Sequence, residues 1–244
     1  MPSATPNIRL FVDQPLAEGE AVDLSRDQAH YLFSVMRLGP GAAIALINGR
    51  DGEWRAEVAE AGKRGGVLRV GRQTQTMRMP PDLWLLFAPI KKARTDFIVE
   101  KAAELGVARI CPVQTAFTNA ERIRKDRLQA HVVEAIEQCG GTYVPEVADL
   151  HPLAAVLDTW PAGRRLIFAD EGRVGDGPDL IGAASASALA VLIGPEGGFS
   201  PEERARLHAL DFVTPLALGP RVLRADTAAV AALTLVQAEL GDWR

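Results

Sequence analysis

From residue 83 onward, the sequence alternates short apolar runs with segments that carry helix signals. The five apolar runs are nearly uninterrupted and lie at residues 83–88, 109–113, 165–170, 189–193 and 213–218. The helix signals lie between and after them, at residues 96–105, 125–138, 201–210 and 227–240. Runs that are apolar at successive positions predict strands buried on both faces, and their alternation with helices predicts a parallel sheet covered by helices. We therefore predict an α/β fold for this part of the chain.

The first part of the chain has a different pattern, in which short strand-like runs are separated by tight turns. The predicted strands lie at residues 8–12, 43–48, 53–58 and 67–70. Asn48-Gly49 is a strong hairpin signal, and a helix beginning after Ser25 is predicted over residues 25–36. Several short strands with one helix predict a small β-barrel, a kind of module that often presents an RNA-binding face. A polar segment at residues 73–81 predicts a linker, which divides the chain into domains at 1–74 and 75–244.

Composition narrows the class of protein. An apolar fraction of 48% and a charged fraction of 24% are typical of a folded water-soluble protein. The longest apolar run, at residues 183–193, is too short to span a membrane, and the N-terminus lacks signal-peptide features. We therefore expect a cytoplasmic protein with no membrane partner. Cys111, Cys139 and the four histidines lack the spacing of a metal site, so no metal is expected. The net charge of −4 limits any nucleic-acid contact to a local basic patch.

Three loops at the ends of the later strands predict a binding site. In parallel sheets, ligands bind at the carboxyl ends of the strands, which here are followed by residues 168–172, 193–199 and 218–223. The sequence GPEGG at 194–198 is neither a dinucleotide fingerprint nor a P-loop, which disfavours a phosphate cradle. The alternative to a binding loop is a tight strand-to-helix turn that holds no ligand. After this loop, Ser200 and Glu203 have the spacing that predicts a capping box at the start of a helix.

The second loop carries charged residues beside a predicted helix start. Arg221 and Arg224 precede Asp226 and Thr227, either of which could cap the helix. Taken alone, this pattern is typical of a helix cap with two solvated arginines. Beside the first loop, an arginine pair directed at a phosphate or a substrate carbonyl becomes the favoured interpretation.

These two loops, with other motifs, give the chain a family resemblance over nearly its whole length. The other matching pieces are Arg9-Leu10-Phe11-Val12, His30 with Val35-Met36-Arg37 and Gly39, Lys91 with Arg94 and the run 101–107, and Glu137-Gln138 with Val144-Pro145. With Ile193–Phe199 and the run 222–228 in this order, the chain resembles the RsmE family of SPOUT-type RNA methyltransferases. It departs from the family at residues 140–143, where the family often has basic residues, and at Asp226, where glutamate is usual.

The resemblance implies a fold, a reaction and partners. The fold is α/β, with a PUA-like β-barrel RNA-binding domain at 1–74 and a SPOUT methyltransferase domain at 75–244 that contains a deep trefoil knot. The reaction is the S-adenosyl-L-methionine-dependent methylation of N3 of a uridine, number 1498 in customary numbering, in the 16S rRNA of the small ribosomal subunit. The resemblance also implies a homodimer.

The resemblance and the loops together give candidate site residues. Arg224 is the candidate to stabilise negative charge on the uridine, and Asp226 could orient Arg224, take the proton from N3 or simply cap the helix. The candidate cofactor-binding residues line the three loops and are Phe168, Ala169, Ile193, Gly194, Glu196, Gly197, Gly198, Leu218, Gly219, Val222, Leu223 and Ala228. The candidate RNA contacts are basic and are Arg9, Arg37, Lys91, Lys92, Arg94, Lys101 and Arg221, with a further cluster at Arg122, Arg124, Lys125 and Arg127.

Two alternative functions remain compatible with these residues. The first is another SPOUT RNA methyltransferase, acting on a ribose 2′-hydroxyl or on a different base. The second is a non-catalytic RNA-binding factor for ribosome assembly that retains the fold. The intact Gly197, Gly198 and Arg224 favour an active enzyme over the second alternative.

Overall fold

The computed structural model describes residues 8–176 and 179–244. The chain divides into two units, one formed by Met1–Met79 with Ile136–Val144 and the other by Pro80–Ala135 with Pro145–Arg244. The first seven residues of the predicted N-terminal domain lie outside the described residues.

The first unit contains a five-stranded sheet. Its strands are β1 (Arg9–Phe11), β2 (Ala21–Asp23), β3 (Ala43–Ile47), β4 (Glu53–Ala61) and β5 (Gly66–Gln75). They follow the order β1-β3-β4-β5-β2, in which β1 is parallel to β3 and the other pairs are antiparallel. Register shifts between β4 and β5 bend the sheet. Among the described residues no ladder joins β1 to β2, so the predicted β-barrel is a curled sheet that stays open between these two strands.

Two local predictions in this unit change. The predicted helix at 25–36 is a short α-helix, α1 (Arg26–Ala29), capped by Ser25 and continued by a π-helix (His30–Val35). In the π-helix Leu32 is fully buried. The helical segment is followed by Arg37, whose φ of 56° lies in the left-handed region. The predicted linker begins too early, because β5 continues to Gln75, which pairs with Glu53.

The strand β2 was not predicted, since three residues with one buried side chain give no periodicity.

The second unit contains a larger sheet, and the prediction of an α/β fold with parallel strands is confirmed. Its strands are β6 (Leu83–Phe87), β7 (Arg109–Gln114), β8 (Glu146–Val147), β9 (His151–Pro152), β10 (Arg164–Ala169), β11 (Ala188–Ile193) and β12 (Val213–Leu216). Their order is β12-β10-β11-β6-β7-β8, with β9 beside β7, and every pair is parallel. Because β10 lies between β11 and β12, the loops that follow these three strands meet at one edge of the sheet.

Helices connect these strands. They are α2 (Lys92–Glu104), α3 (Lys125–Cys139), α4 (Leu153–Asp158), α5 (Pro201–Ala209) and α6 (Ala225–Glu239). The two-residue strands β8 and β9 and the helix α4 were not predicted, since segments this short lack a period. Among the described helices, none is long and apolar enough to cross a membrane.

The two cysteines provide a chemical test of this packing. Cys111 lies in β7, where burial raises the pKa of its thiol to about 11 against the opposing effect of Arg109 and Arg164, whereas Cys139 is exposed. At pH 8 only about one Cys111 in a thousand is a thiolate, which is the reactive form. We therefore expect iodoacetamide to modify Cys139 in the folded protein and Cys111 only after unfolding, as measured by mass spectrometry. Equal rates in the folded protein would contradict the packing of β7.

Candidate functional site

A cavity of about 850 Å³, including its open part, lies at the carboxyl ends of β10, β11 and β12. The cavity wall comes from three loops and the first turns of α6, and it contains Ala169, Asp170, Glu171, Val174, Ile193, Gly194, Pro195, Glu196, Gly198, Leu216, Leu218, Gly219, Arg221, Val222, Leu223, Arg224, Ala225 and Ala228. The wall therefore contains charged side chains, apolar side chains and stretches of backbone that a ligand can approach because glycine has no side chain.

The loop at residues 194–198 is held from both ends. At its start, Gly194 lies against the ring of Phe199, which packs edge-on against Phe168 at 5.0 Å. At its end, Gly198 has a φ of 69° and donates its N–H to the Pro195 carbonyl at 3.0 Å. The predicted capping box of α5 is confirmed, because the Ser200 hydroxyl accepts from the backbone of Glu203 while the Glu203 carboxylate accepts from Ser200. This loop is therefore a fixed part of the cavity wall.

Gly194 is the position where added volume should affect the cavity most directly. A Cβ at this residue would lie 2.6 Å from Phe199 Cε2, so the buried ring would have to move. Overpacking of this kind costs about 1–3 kcal/mol, and we expect Gly194→Ala to weaken ligand binding in the cavity about tenfold or more. Titration calorimetry measures this, with Gly39→Ala as control because a Cβ there meets nothing within 4 Å. Unchanged affinity would argue against a ligand at this wall.

The second loop positions Arg224 at the cavity. Gly219 turns the chain with a φ of 88°, and α6 begins at Ala225 with Arg224 as its N-cap residue, without a side-chain cap. The prediction that Asp226 or Thr227 caps the helix is therefore wrong, because both residues already lie within its first turn. Among the described residues the guanidinium of Arg224 has no hydrogen-bond or ion-pair partner, which leaves its five donors available to a ligand.

Asp226 is engaged with another predicted residue. Its carboxylate forms an ion pair with Arg94 of α2 and accepts the backbone N–H of Thr227 at 2.9 Å. The side chain is only 13% exposed, and Asp226 does not line the cavity. The predicted contact between Asp226 and Arg224 is thus replaced by one between Asp226 and Arg94, which joins the starts of α2 and α6. Arg94 is correspondingly less available to RNA.

A buried network that the sequence did not reveal supports the third loop. The Asp170 carboxylate is fully buried and accepts from Arg204 at 2.9 Å, from His208 Nε2 at 2.8 Å and from the Gly172 N–H at 2.9 Å. The next residue, Glu171, accepts the backbone N–H of Phe199 at 3.2 Å. Arg204 and His208 are four residues apart on α5. This spacing places both side chains on one face of the helix, but it does not indicate that Asp170 is the residue they contact.

Most of the predicted cofactor residues line the cavity. The ten that do so are Ala169, Ile193, Gly194, Glu196, Gly198, Leu218, Gly219, Val222, Leu223 and Ala228. Phe168 does not, because its fully buried side chain faces the core. Gly197 does not either, and a Cβ there would face Phe117 at 3.2 Å. The wall residues missed by the sequence prediction are Asp170, Glu171, Val174, Pro195, Leu216 and Ala225.

Three backbone N–H groups at the cavity wall are available to donate to a ligand or to water. Within the described part of the chain, the N–H groups of Gly194, Leu218 and Leu223 have no backbone acceptor, although all three residues line the cavity. Backbone N–H groups are obligatory donors, so a bound polar ligand or water must accept from them. Over residues 8–176 and 179–244, no cluster of His, Cys, Asp and Glu is arranged to hold a metal ion.

The predicted RNA contacts fall into three groups. Arg9 is structural: its side chain is 11% exposed, pairs with Glu53 at 2.8 Å and donates to the Gly141 carbonyl at 2.7 Å. Several others are ion-paired, namely Arg94 with Asp226, Lys101 with Glu104, Arg124 with Asp126, Lys125 with Asp149, and Arg127 with Asp96. Exposed basic side chains without a partner among the described residues are Arg37, Lys91, Lys92, Arg122 and Arg221.

Comparison with known families gives two matches. A family described as an RNA methyltransferase domain matches residues 77–237, which include every residue of the cavity wall. A second family, described as an RNA methyltransferase PUA domain, matches residues 24–70 of the first unit.

Individual relatives match over nearly the whole chain. The ribosomal RNA small subunit methyltransferase E of Mycobacterium bovis is 30% identical over 96% of this chain and 92% of its own length. That of Rickettsia conorii is 28% identical over 94% of each. Among solved structures, ribosomal RNA small subunit methyltransferase E from Neisseria gonorrhoeae bound to S-adenosyl methionine has a TM-score of 0.84, with 26% identity, and the match covers 97% of this chain and 99% of that one. A putative methyltransferase from Legionella pneumophila with bound S-adenosyl methionine has a TM-score of 0.83, with 29% identity, over 98% and 100%.

Proposed function

Since the chain belongs to the RNA methyltransferase family that includes the ribosomal RNA small subunit methyltransferases E, we propose that it methylates 16S rRNA. The methyl donor is S-adenosyl-L-methionine, and the acceptor is N3 of uridine 1498 in customary numbering. One observation carries the proposal: the cavity where β10, β11 and β12 end has glycine-bearing walls and an arginine without a partner among the described residues. The structures with bound S-adenosyl methionine support this choice of donor.

The cavity residues fit the methyl donor. The free N–H groups of Gly194, Leu218 and Leu223 can donate to the nitrogen and oxygen atoms of an adenosyl group. The exposed side chain of Val222 and the neighbouring Leu218 offer apolar surface for a planar base. When bound, S-adenosyl-L-methionine supplies an activated methyl group. The tasks of the protein are then to position the two reactants and to manage charge on the uridine.

Arg224 has the position needed to manage that charge. Uridine N3 carries a proton, and its removal leaves negative charge shared with O2 and O4 of the ring. A guanidinium at the cavity wall that has no partner over residues 8–176 and 179–244 can donate hydrogen bonds to one of these oxygens. The pair between Arg94 and Asp226 supports this role indirectly, because it fixes the helix start that carries Arg224.

Further features of the proposal rest on family membership. We propose a PUA-like RNA-binding domain at residues 1–74 and a methyltransferase domain at 75–244, whose C-terminal part forms a deep trefoil knot. We also propose that the protein is a cytoplasmic homodimer. The proposed RNA contacts are the exposed side chains that have no partner in the described part of the chain, because such cations can neutralise phosphates; they are Arg37, Lys91, Lys92, Arg122 and Arg221.

The experiment that tests this function is transfer of a tritiated methyl group to undermodified ribosomal particles. We expect incorporation into the 16S rRNA of small subunits or of the free rRNA, and none into large subunits. Binding to small subunits without any transfer would contradict the proposal and favour a non-catalytic assembly factor.

A further inference from the structure

A second cavity, of about 830 Å³ including its open part, lies beside the loop at 194–198 and is lined by Pro89, Ile90, Lys91, Asn119, Ala120 and Glu196. Glu196 also lines the first cavity, so one side chain is shared by both. The wall of the second cavity combines apolar surface with an amide, an ammonium group and a carboxylate. This mixture suits a planar heterocycle whose faces are apolar and whose edges carry donors and acceptors.

The second cavity leads into a basic cleft. The cleft shares Pro89, Ile90 and Ala120 with it and has a volume of about 500 Å³, including its open part. Of the basic side chains in the cleft, Arg124 is paired with Asp126 at 2.9 Å and Arg127 with Asp96 at 2.5 Å. Lys92 and Arg122 are exposed and have no partner among the described residues, as is also true of Lys91 in the second cavity. The cleft therefore offers unneutralised positive charge next to a site for a heterocycle.

The carboxylates of the first cavity differ in their availability. Asp170 is fully buried and bound by Arg204 and His208, and Glu171 accepts the Phe199 N–H. Glu196 is exposed and has no hydrogen-bond or ion-pair partner within the described residues. A carboxylate that accepts a proton needs free lone pairs within reach of the reacting group. Glu171 also keeps free lone pairs, but of these three carboxylates Glu196 is the one that lines both cavities.

We propose that the second cavity receives the target pyrimidine, rotated out of the RNA strand. The N3 edge of the base then lies at Glu196, which both cavities share, and faces the first cavity, where Arg224 lies, and Glu196 accepts the proton from N3. This inference rests on the proposed function, since it identifies the seat of the acceptor base and the proton acceptor for that reaction. Lys92 and Arg122 hold the phosphates of the nucleotides that flank the base. Extrusion of a base is the general way in which enzymes reach atoms that stacking and pairing conceal.

The step is balanced by groups already named. The N3–H bond breaks and its proton goes to a carboxylate oxygen of Glu196, while the electron pair stays on N3. N3 then forms a bond to the methyl carbon as the carbon–sulfur bond breaks, and that bond's electron pair returns to sulfur, whose positive charge is neutralised. Glu196 finally releases the proton to water. No oxidant, reductant or further reactant is needed.

Glu196→Gln tests the proton acceptor. We expect single-turnover methyl transfer to fall by about 10²-fold or more, because the amide cannot take the proton. Because Glu196 also lines the first cavity, transfer is measured at saturating S-adenosyl-L-methionine, so that a change in cofactor affinity does not enter the rate. Glu202→Gln is the control, since Glu202 is exposed and lines neither cavity. Transfer near the wild-type rate at saturating cofactor would overturn the assignment.

Ala120→Trp tests the seat of the base by filling the second cavity. Cofactor affinity should be unchanged, while transfer falls below about 1% of wild type because the base cannot reach its position. Ala130→Trp is the matched control, because Ala130 is an exposed residue of α3 outside both cavities. Small-subunit rRNA with 4-thiouridine at the target should photo-cross-link to residues 89–91 or 119–120 in the wild type and not in Ala120→Trp.

Failure of this proposal is distinguishable from failure of the proposed function. If the wild-type protein methylates rRNA and both variants do so equally well, or if the cross-link forms elsewhere, the second cavity is not the seat of the base. If the wild-type protein transfers no methyl group to any rRNA, the proposed function itself is wrong.

Discussion

Replacing Arg224 with alanine is expected to lower the rate of methyl transfer by about 10²–10³-fold, the usual effect of removing a donor that stabilises developing negative charge. The guanidinium lines the cavity and has no partner in the described part of the chain, so its loss breaks no ion pair there. For the same reason the variant should fold normally. Single-turnover transfer to small ribosomal subunits measures the effect, and calorimetry measures cofactor affinity, which should remain within about threefold.

Arg224→Lys sharpens this prediction. Lysine keeps the positive charge but lacks the planar set of donors, so we expect intermediate activity. Equal losses in the alanine and lysine variants would indicate that hydrogen-bond geometry matters more than charge. Wild-type activity in Arg224→Ala would remove this residue from the chemistry and leave it as a solvated N-cap residue of α6.

Replacing Arg204 with methionine is expected to destabilise the second unit by about 3 kcal/mol, because it leaves a buried carboxylate without its main counter-charge. Asp170 is fully buried, and the apolar methionine chain would continue to cover it. His208 and the Gly172 N–H would be its remaining partners. For a protein of this size, the loss corresponds to a melting temperature lower by about 6–12 °C.

The matched control lies two residues further along the same helix. Arg206 pairs with Asp158 at 2.6 Å, but that carboxylate is 67% exposed. Such surface pairs contribute about 0–1 kcal/mol, so Arg206→Met should change stability little. If both variants melt together near the wild-type temperature, Asp170 does not depend on Arg204, and another explanation for its burial is needed.

The parallel sheet was predictable because its strands are buried on both faces and apolar at nearly every position. The loops at 194–198 and 218–228 were predictable as a site because parallel strands end at the same edge of a sheet. The first unit was harder, since a three-residue strand such as Ala21–Asp23 carries no period. An open sheet and a closed barrel also have the same alternation, because closure depends on which edge strands pair.

Ion pairs between residues far apart in the chain were the part of the site that the sequence could not predict. Arg94 and Asp226 are 132 residues apart, and the sequence predicted each as a separate functional residue. Similarly, Asp170 stood at the end of a predicted strand, but its partners lie 34 and 38 residues further on. Arg9 shows the reverse case, because a basic residue in a family motif proves to be bound to Glu53 and to backbone carbonyls of its own unit. Charge and motif alone do not distinguish a free cation from a buried one.

The chemical identity of the product tests the central proposal most directly. Undermodified small subunits would be incubated with the protein and S-adenosyl-L-methionine, and the 16S rRNA digested to nucleosides for liquid chromatography and mass spectrometry. We predict one new nucleoside that is one methyl group heavier than uridine and co-elutes with 3-methyluridine, and that is absent with Arg224→Ala. A 2′-O-methylated nucleoside, a methyl group on another base, or no new nucleoside would contradict the proposal.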